Sequence, residues 1–329
     1  MLRIHFQDVD LSLVRVAKAP DPLWETVLGL YRLSADGTDI PVFADWQRQA
    51  RAAVRESGLH GAVGLLRQLV PKVGYCPDFL TPAEARDGLH AGLEAVRHTP
   101  SHRLRTDIAH AARDRELPEW AHRLGAADRD VLDDLTRALR LVHGAIVQPV
   151  WEDVEAVVNV ERSMRGAALL EGGVEAMLGS LRPVLRWDRP VLSADYPLPL
   201  DIRLDGRGLL LIPSFFCWGK PVALVDPALP PVVVYPVEHP PTWLDGIAGR
   251  RTALEALLGR TRAAVLAALI TASTSTELAT RLGISIASAS EHVGVLRNAG
   301  LVVSRRSGRV VLHMLTPLAG AVLAGGQTG

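Results

Sequence analysis

Polar and apolar residues alternate at the start of the chain, over Leu2–Phe6 and again over Leu11–Val16. With branched side chains among them, this period of two predicts a pair of strands. From Pro22 the apolar spacing changes to three and four. Helices are predicted over roughly 22–33, 43–57, 59–69, 82–97, 102–115, 128–147 and 150–180, with Pro20, Pro41, Pro71, Pro82, Pro118 and Pro149 at or beside their starts and breaks. The Gly172–Gly173 pair is expected to bend or divide the last of them. Between Pro183 and His239 the pattern becomes short extended runs, WDRPVL, LPLDIRL, GLLLIPSFF, PVALVD and PVVVYPV, and Asp205–Gly206 between two of them predicts a hairpin. The later runs are too apolar to face water on both sides, so they are expected to pack on the helices, with the N-terminal strands completing the same sheet. The reading is α+β, a large mixed helical and antiparallel-sheet domain over residues 1–240.

A different punctuation begins near the C-terminus. Thr274 and Glu277 form a capping box ahead of the apolar face Leu278, Ala279 and Leu282. Gly283 ends that helix and Ser285 caps the next, whose Ala289, Val293 and Leu296 make an inward stripe. Beyond Gly300 the runs Leu301–Ser304 and Val310–Leu315 are extended, and Ser307–Gly308 has the composition that closes a hairpin. Arg305, Arg306 and Arg309 cluster at its tip. Nine arginines and three glutamates, with no lysine or aspartate, lie between Arg250 and Thr316. This segment therefore carries +6 and the remainder −6 in a formally neutral chain, a separation expected where one domain binds phosphates and the other does not.

The stretch from about Arg260 to Leu323, roughly a fifth of the chain, resembles the winged helix-turn-helix of the ArsR-type bacterial transcription regulators. The resemblance rests on ELATRLGIS, a serine-rich helix ending VLRNAGLV, then SRRSGR and LTP. It implies a winged helix-turn-helix domain over 250–329, joined to the large domain by a proline-bearing connector at 241–249. It also implies a homodimer on double-stranded operator DNA, with recognition helices about 34 Å apart. Dimer contacts are expected on the flanking segments Arg251–Leu258 and Pro317–Ala324. The DNA-contacting residues implied are Ser285, Ile286, Ser288, Ser290, Glu291, His292, Arg297, Arg305, Arg306 and Arg309. The arginines, with His292, are expected to position the phosphates. Ser288 and Ser290 can bond bases or phosphates, Ile286 can pack on a thymine methyl, and Glu291 can accept from cytosine N4. Ile286, Ala287 and Glu291 stand where relatives commonly carry long polar or basic side chains, which reduces direct base reading.

The metal-sensing members of that family carry cysteines in the first helix of the motif or carboxylate and histidine ligands on the last. STELATRLG holds no cysteine and PLAGAVLAGG no histidine or acid, so neither metal nor cofactor is expected. Cys76 and Cys217, the only cysteines, read as buried small hydrophobes. His98 with His102, and Asp107 with His110, read as solvated surface. No GxSxG, GxxxxGKS/T, HExxH or post-strand GxGxxG occurs, and the protein is not expected to be an enzyme. No apolar run approaches the ~18 residues of a membrane span, and the first residues lack a cationic stretch ahead of an apolar block, so the expected location is cytoplasmic. Thirty-three arginines against three lysines indicate a GC-rich genome, which fits an actinobacterial regulator. The SFFCWGK segment concentrates aromatic residues. Phe215, Phe216 and Trp218, with Trp187 and Tyr235, are candidates for the wall of a pocket for a hydrophobic small-molecule effector, against the plainer reading of core packing. The other reading of the large domain is a docking surface for a partner protein.

Overall fold

The period-two start of the chain forms strand β1 (Leu2–His5), in which Leu2 and Ile4 are wholly buried and Arg3 between them is exposed. The computed structural model describes residues 1–34, 40–71, 75–197, 199–239, 254–269, 272–307 and 310–324; the expected connector at 241–249 lies outside them. By compactness the chain divides into two units. The first comprises Met1–Ile40, Gln47–Val154 and Met164–Val237, and the second Pro41–Trp46, Glu155–Ser163 and Glu238–Gly329.

Two four-stranded sheets organise the first unit. One has the order β3-β4-β1-β5, with β3 at Arg186–Asp188, β4 at Val191–Ala194 and β5 at Leu200–Arg203. Its register sets Leu2 and Ile4 opposite Ala194 and Leu192 on the antiparallel side and opposite Leu200 and Ile202 on the parallel side. The other has the order β2-β6-β8-β7, with β2 at Arg15–Val16, β6 at Leu210–Ser214, β7 at Val222–Ala223 and β8 at Val232–Pro236. Here β2, β6 and β8 run parallel and β7 antiparallel to β8. Strands β6 and β8 are buried along nearly their whole length, as continuous apolar runs require. The α+β class therefore holds, with two corrections. The sheets are mixed rather than antiparallel, and the two N-terminal strands join different sheets.

Two further expectations fail for local reasons. The strand expected over Leu11–Val16 is reduced to β2, because the one-turn helix α1 (Asp8–Leu11) precedes it. Wholly buried Asp10 fixes that turn, accepting from the Gln7 N–H at 2.8 Å and from the Gly208 N–H at 3.0 Å. Gly208 lies so close to Leu13 that a Cβ would sit 2.5 Å from the Leu13 Cβ, so only glycine fits there. Asp205 and Gly206 do adopt left-handed backbone (φ 49° and 82°). They close no hairpin, since β5 before them belongs to one sheet and β6 after them to the other.

The helices follow the periodicity closely: α2 (Pro22–Ser34), α3 (Ala44–Glu56), α4 (His60–Leu69), α5 (Leu89–Arg97), α6 (Ser101–Asp114), α7 (Glu119–Gly125), α8 (Arg129–Ile146) and α9 (Trp151–Gly179). The helix expected over 82–97 is a 3-10 turn, Ala83–Asp87, followed by α5, with Gly88 between them. Helix α7, seven residues long, is too short to declare a period. Within α9, Gly172 and Gly173 are non-helical, the division expected of that pair. Among the described residues no helix is long and apolar enough to cross a membrane.

Buried carboxylates tie these layers together. Glu25 on α2 is wholly buried and accepts from the Ser214 hydroxyl at 3.0 Å and the Phe215 and Phe216 N–H groups at 2.8 and 3.0 Å. Burial pushes its carboxyl up to about 7, against the pull of those three donors. Asp107, read from the sequence as solvated surface, is instead buried and accepts from the Tyr75 hydroxyl and the Phe79 N–H at 2.9 and 2.8 Å. Asp78 holds the Val225 and Asp226 N–H groups at 3.1 and 2.9 Å.

Candidate nucleic-acid interface

After a short helical stretch at 254–258, the described C-terminal residues form four longer helices and a two-stranded ribbon. They are α10 (Arg260–Ala268), α11 (Ser275–Leu282), α12 (Ile286–Asn298), β9 (Val302–Ser307), β10 (Val310–Leu315) and α13 (Pro317–Ala324). The core is made by the predicted stripes: Leu278 and Ala279 of α11 meet Ala289, Val293 and Leu296 of α12, with Val265 and Leu266 of α10 beneath. Local chemistry sets each boundary. The Thr274 N–H donates to Glu277 Oε2 at 2.7 Å and the Glu277 N–H to Thr274 Oγ1 at 3.2 Å, which also holds the Glu277 carboxyl below its usual range. Gly283 sits at φ 66°, ψ 32°, and the left-handed turn lets the Ile284 N–H return to Ala279 O at 3.1 Å. Two residues later the Ser285 hydroxyl accepts the Ser288 N–H at 3.0 Å and starts α12. The result is a close pair of helices with a ribbon after it.

A family model described as "Helix-turn-helix domain" matches residues 257–305. The protein carries a helix-turn-helix domain. No curated protein and no solved structure matches the chain.

Helix α12 is the second helix of the pair, and its outward surface combines small and polar groups with exposed Ile286 and Val295. With Ala289, Val293 and Leu296 turned inward, the 3.6-residue period places Ala287, Ser290, Glu291 and Gly294 on the opposite side. Ser285, Ser290, Glu291 and Arg297 are exposed, Ile286 is 54% exposed, and Ser288 and His292 are half-buried. A Cβ added at Gly294 would meet no atom within 4 Å. Among the described residues, nothing therefore packs where a side chain at Gly294 would begin, and the face there is shallow.

In the ribbon, Arg305 lies opposite Leu312 and Arg306 opposite Val311. Neighbouring strand residues point to opposite faces. The two arginines, both exposed, therefore stand on opposite sides of the wing rather than in one cluster. Arg309 lies outside the described residues. A ribbon seated in a groove has a phosphate wall on either side, and this arrangement offers one guanidinium to each.

One residue of the module escaped the sequence reading. His313 on β10 is buried; Ser304 Oγ lies 2.8 Å from its Nδ1 and Ser275 Oγ 3.1 Å from its Nε2. Its backbone exchanges two hydrogen bonds with Ser273 at 2.9 and 3.1 Å. It thereby fixes the wing to the start of α11. Burial and then the Arg297 charge lower its affinity for a proton. The available signal was a single histidine at an inward position of an otherwise apolar strand.

The aromatic candidates of the large domain are placed differently from a ligand wall. Phe215 and Phe216 are wholly buried and pack edge to face at 5.1 Å, Tyr235 is 2% exposed, and buried Trp187 stands edge-on to Phe6 at 5.0 Å. Trp218 is 41% exposed. None of the five lines the cavity of the first unit taken up below. Both cysteines are free thiols, pushed up in pKa by burial.

Proposed function

We propose that the protein is a sequence-specific, dimeric DNA-binding transcription regulator whose N-terminal unit responds to a small organic ligand. The observation that carries the reading is the α12 surface: a second helix of a matched helix-turn-helix domain, capped and packed on one side and open on the other, within a segment bearing +6 in a neutral chain. The resemblance to ArsR-type regulators supports the wing as the second contact and two-fold symmetry as the mode of binding. On this reading Arg297, Arg305, Arg306 and Arg309 position the module on phosphates, while Ser288, Ser290 and Glu291 contribute the base contacts. The absence of metal-ligand residues at the family's sensing positions favours an organic effector acting through the N-terminal unit.

Selection of binding sites by the full chain from a random DNA library tests the proposal. The expected product is an inverted repeat whose half-sites are centred about 10 base pairs, or a multiple of that, apart. A pool that never enriches, or an enriched site without two-fold symmetry, would count against a dimeric sequence reader.

A further inference from the structure

The first unit contains a cavity of about 580 Å³, within the usual range for small-molecule sites. One wall comes from the second sheet, where Leu210, Ile212 and Val232 face it, and the other from Trp24 at the start of α2, Phe79 in a 3-10 turn and the head of α6. These segments are distant in sequence, and the wall is braced: Asp78 clamps the loop after β7 by accepting from Val225 and Asp226.

The polar lining separates into groups already used and groups left over. Asp21 accepts from the Leu23 and Trp24 N–H groups, both at 3.0 Å, and caps α2. Asp78 and Asp107 are engaged as described above, and Asp226 accepts from the Ala228 N–H at 2.9 Å. Arg207 donates to four backbone carbonyls, those of Leu204, Pro227, Leu229 and Arg203. Arg86 holds Ala83 O at 2.9 Å. Arg15 on the edge strand β2 and Arg103 on α6 also line the cavity, and among the described residues neither side chain has a hydrogen bond or an ion pair. Glu84 is the exposed acid at the rim. Apart from Glu84 at the rim, the carboxylates are therefore engaged in holding backbone, and two guanidiniums remain beside an apolar floor.

We infer that this cavity binds an amphipathic organic acid, with its apolar body against Phe79, Leu210, Ile212 and Val232 and its carboxylate taken by Arg103 and Arg15. Guanidinium and carboxylate match in a planar, two-bond geometry that a neutral or cationic head group cannot reproduce. The inference deepens the ligand-response reading above and rests on it only for the consequence at DNA.

The test is calorimetric titration of the full chain, without DNA, by three probes with one aromatic body and different heads: naphthoate, naphthylmethanol and naphthylmethylamine. Naphthoate is expected to bind one per chain, about tenfold or more tighter than the alcohol, a gap of about 1.4 kcal/mol, with the amine weakest. Arg103→Gln and Arg15→Gln should each remove most of that preference and leave alcohol binding unchanged. Arg103→Lys should restore part of it. Neither arginine side chain makes a described hydrogen bond or ion pair, so thermal unfolding of the variants should match the parent. Equal affinity for all three probes, preference for the amine, binding by none, or variants indistinguishable from the parent would overturn the inference. A chain that binds naphthoate but no DNA would overturn the regulator reading and leave the cavity assignment standing; the reverse result would do the opposite.

Discussion

Replacing Arg305 and Arg306 together with alanine is expected to weaken binding to every DNA sequence and to flatten its dependence on salt. Each phosphate contact releases condensed counterions, so log K falls with log salt by about 0.9 per contact. Loss of two contacts lowers that slope by about 1.8 for each chain engaged, which at ~0.1 M salt corresponds to roughly 50-fold in affinity. The discrimination between a selected site and a shuffled one should be nearly unchanged, because phosphates carry no sequence. The opposite-face placement of the two residues predicts that each single variant shows about half of the slope change. Fluorescence anisotropy with labelled duplexes at several salt concentrations reads both quantities. An unchanged slope in the double variant would remove the wing from the interface.

The largest effect on stability is expected at Glu25. Both of its oxygens accept inside the first unit, from one hydroxyl and two backbone N–H groups. Glu25→Ala leaves those donors buried without a partner and opens a cavity, a loss of about 3–5 kcal/mol in unfolding free energy. Glu25→Gln keeps the volume but sets an amide NH₂ against an N–H donor, and about 2 kcal/mol should be lost. The pH dependence has a definite sign. The folded carboxyl titrates near 7, above its unfolded value, so the folded state holds the extra proton. Its contribution to stability is complete below about pH 4.3 and declines as pH rises through 7. Asp78, up to about 7, and Asp21, up to about 6, for the same reason of burial, add to that slope. Denaturant midpoints of the parent chain should therefore fall between pH 5 and pH 7.5, and the fall should be smaller in Glu25→Gln. A midpoint rising over that range would contradict the assignment.

The C-terminal module was legible in the sequence because each boundary is decided by neighbours. Thr274 needs only Glu277, Gly283 needs only its own missing Cβ, and Ser285 needs only the N–H three residues on. Most helices of the first unit were legible for the same reason, down to the interruption at Gly172–Gly173, whereas seven-residue α7 was not. What could not be read depends on partners far along the chain. Leu2 lies between Ala194 and Leu200, and no local pattern says that β1 joins one sheet while β2, ten residues later, joins another. Asp205–Gly206 announced a left-handed turn correctly, yet the direction taken by the next strand is set by β8 and not by the turn. Asp107 reads as surface in the sequence, and Glu25 does not stand out there, because their hydrogen-bond partners come from other elements. The aromatic cluster at Phe215 and Phe216 carries two readings for a related reason: large rings mark burial as readily as a ligand wall, and here they fill the interior, as the plainer reading has it.

A negative charge placed at the middle of the outward face of α12 decides whether this helix meets DNA. Gly294→Glu adds a side chain whose Cβ would meet no atom within 4 Å, at a helical position where glycine is the weaker helix former. Unfolding is expected as in the parent or slightly more resistant, together with a loss of DNA affinity of about 100-fold or more, since a carboxylate would be driven against bases and phosphates. A Gly294→Glu chain that binds the selected DNA as tightly as the parent would show that α12 is not the helix that reads it.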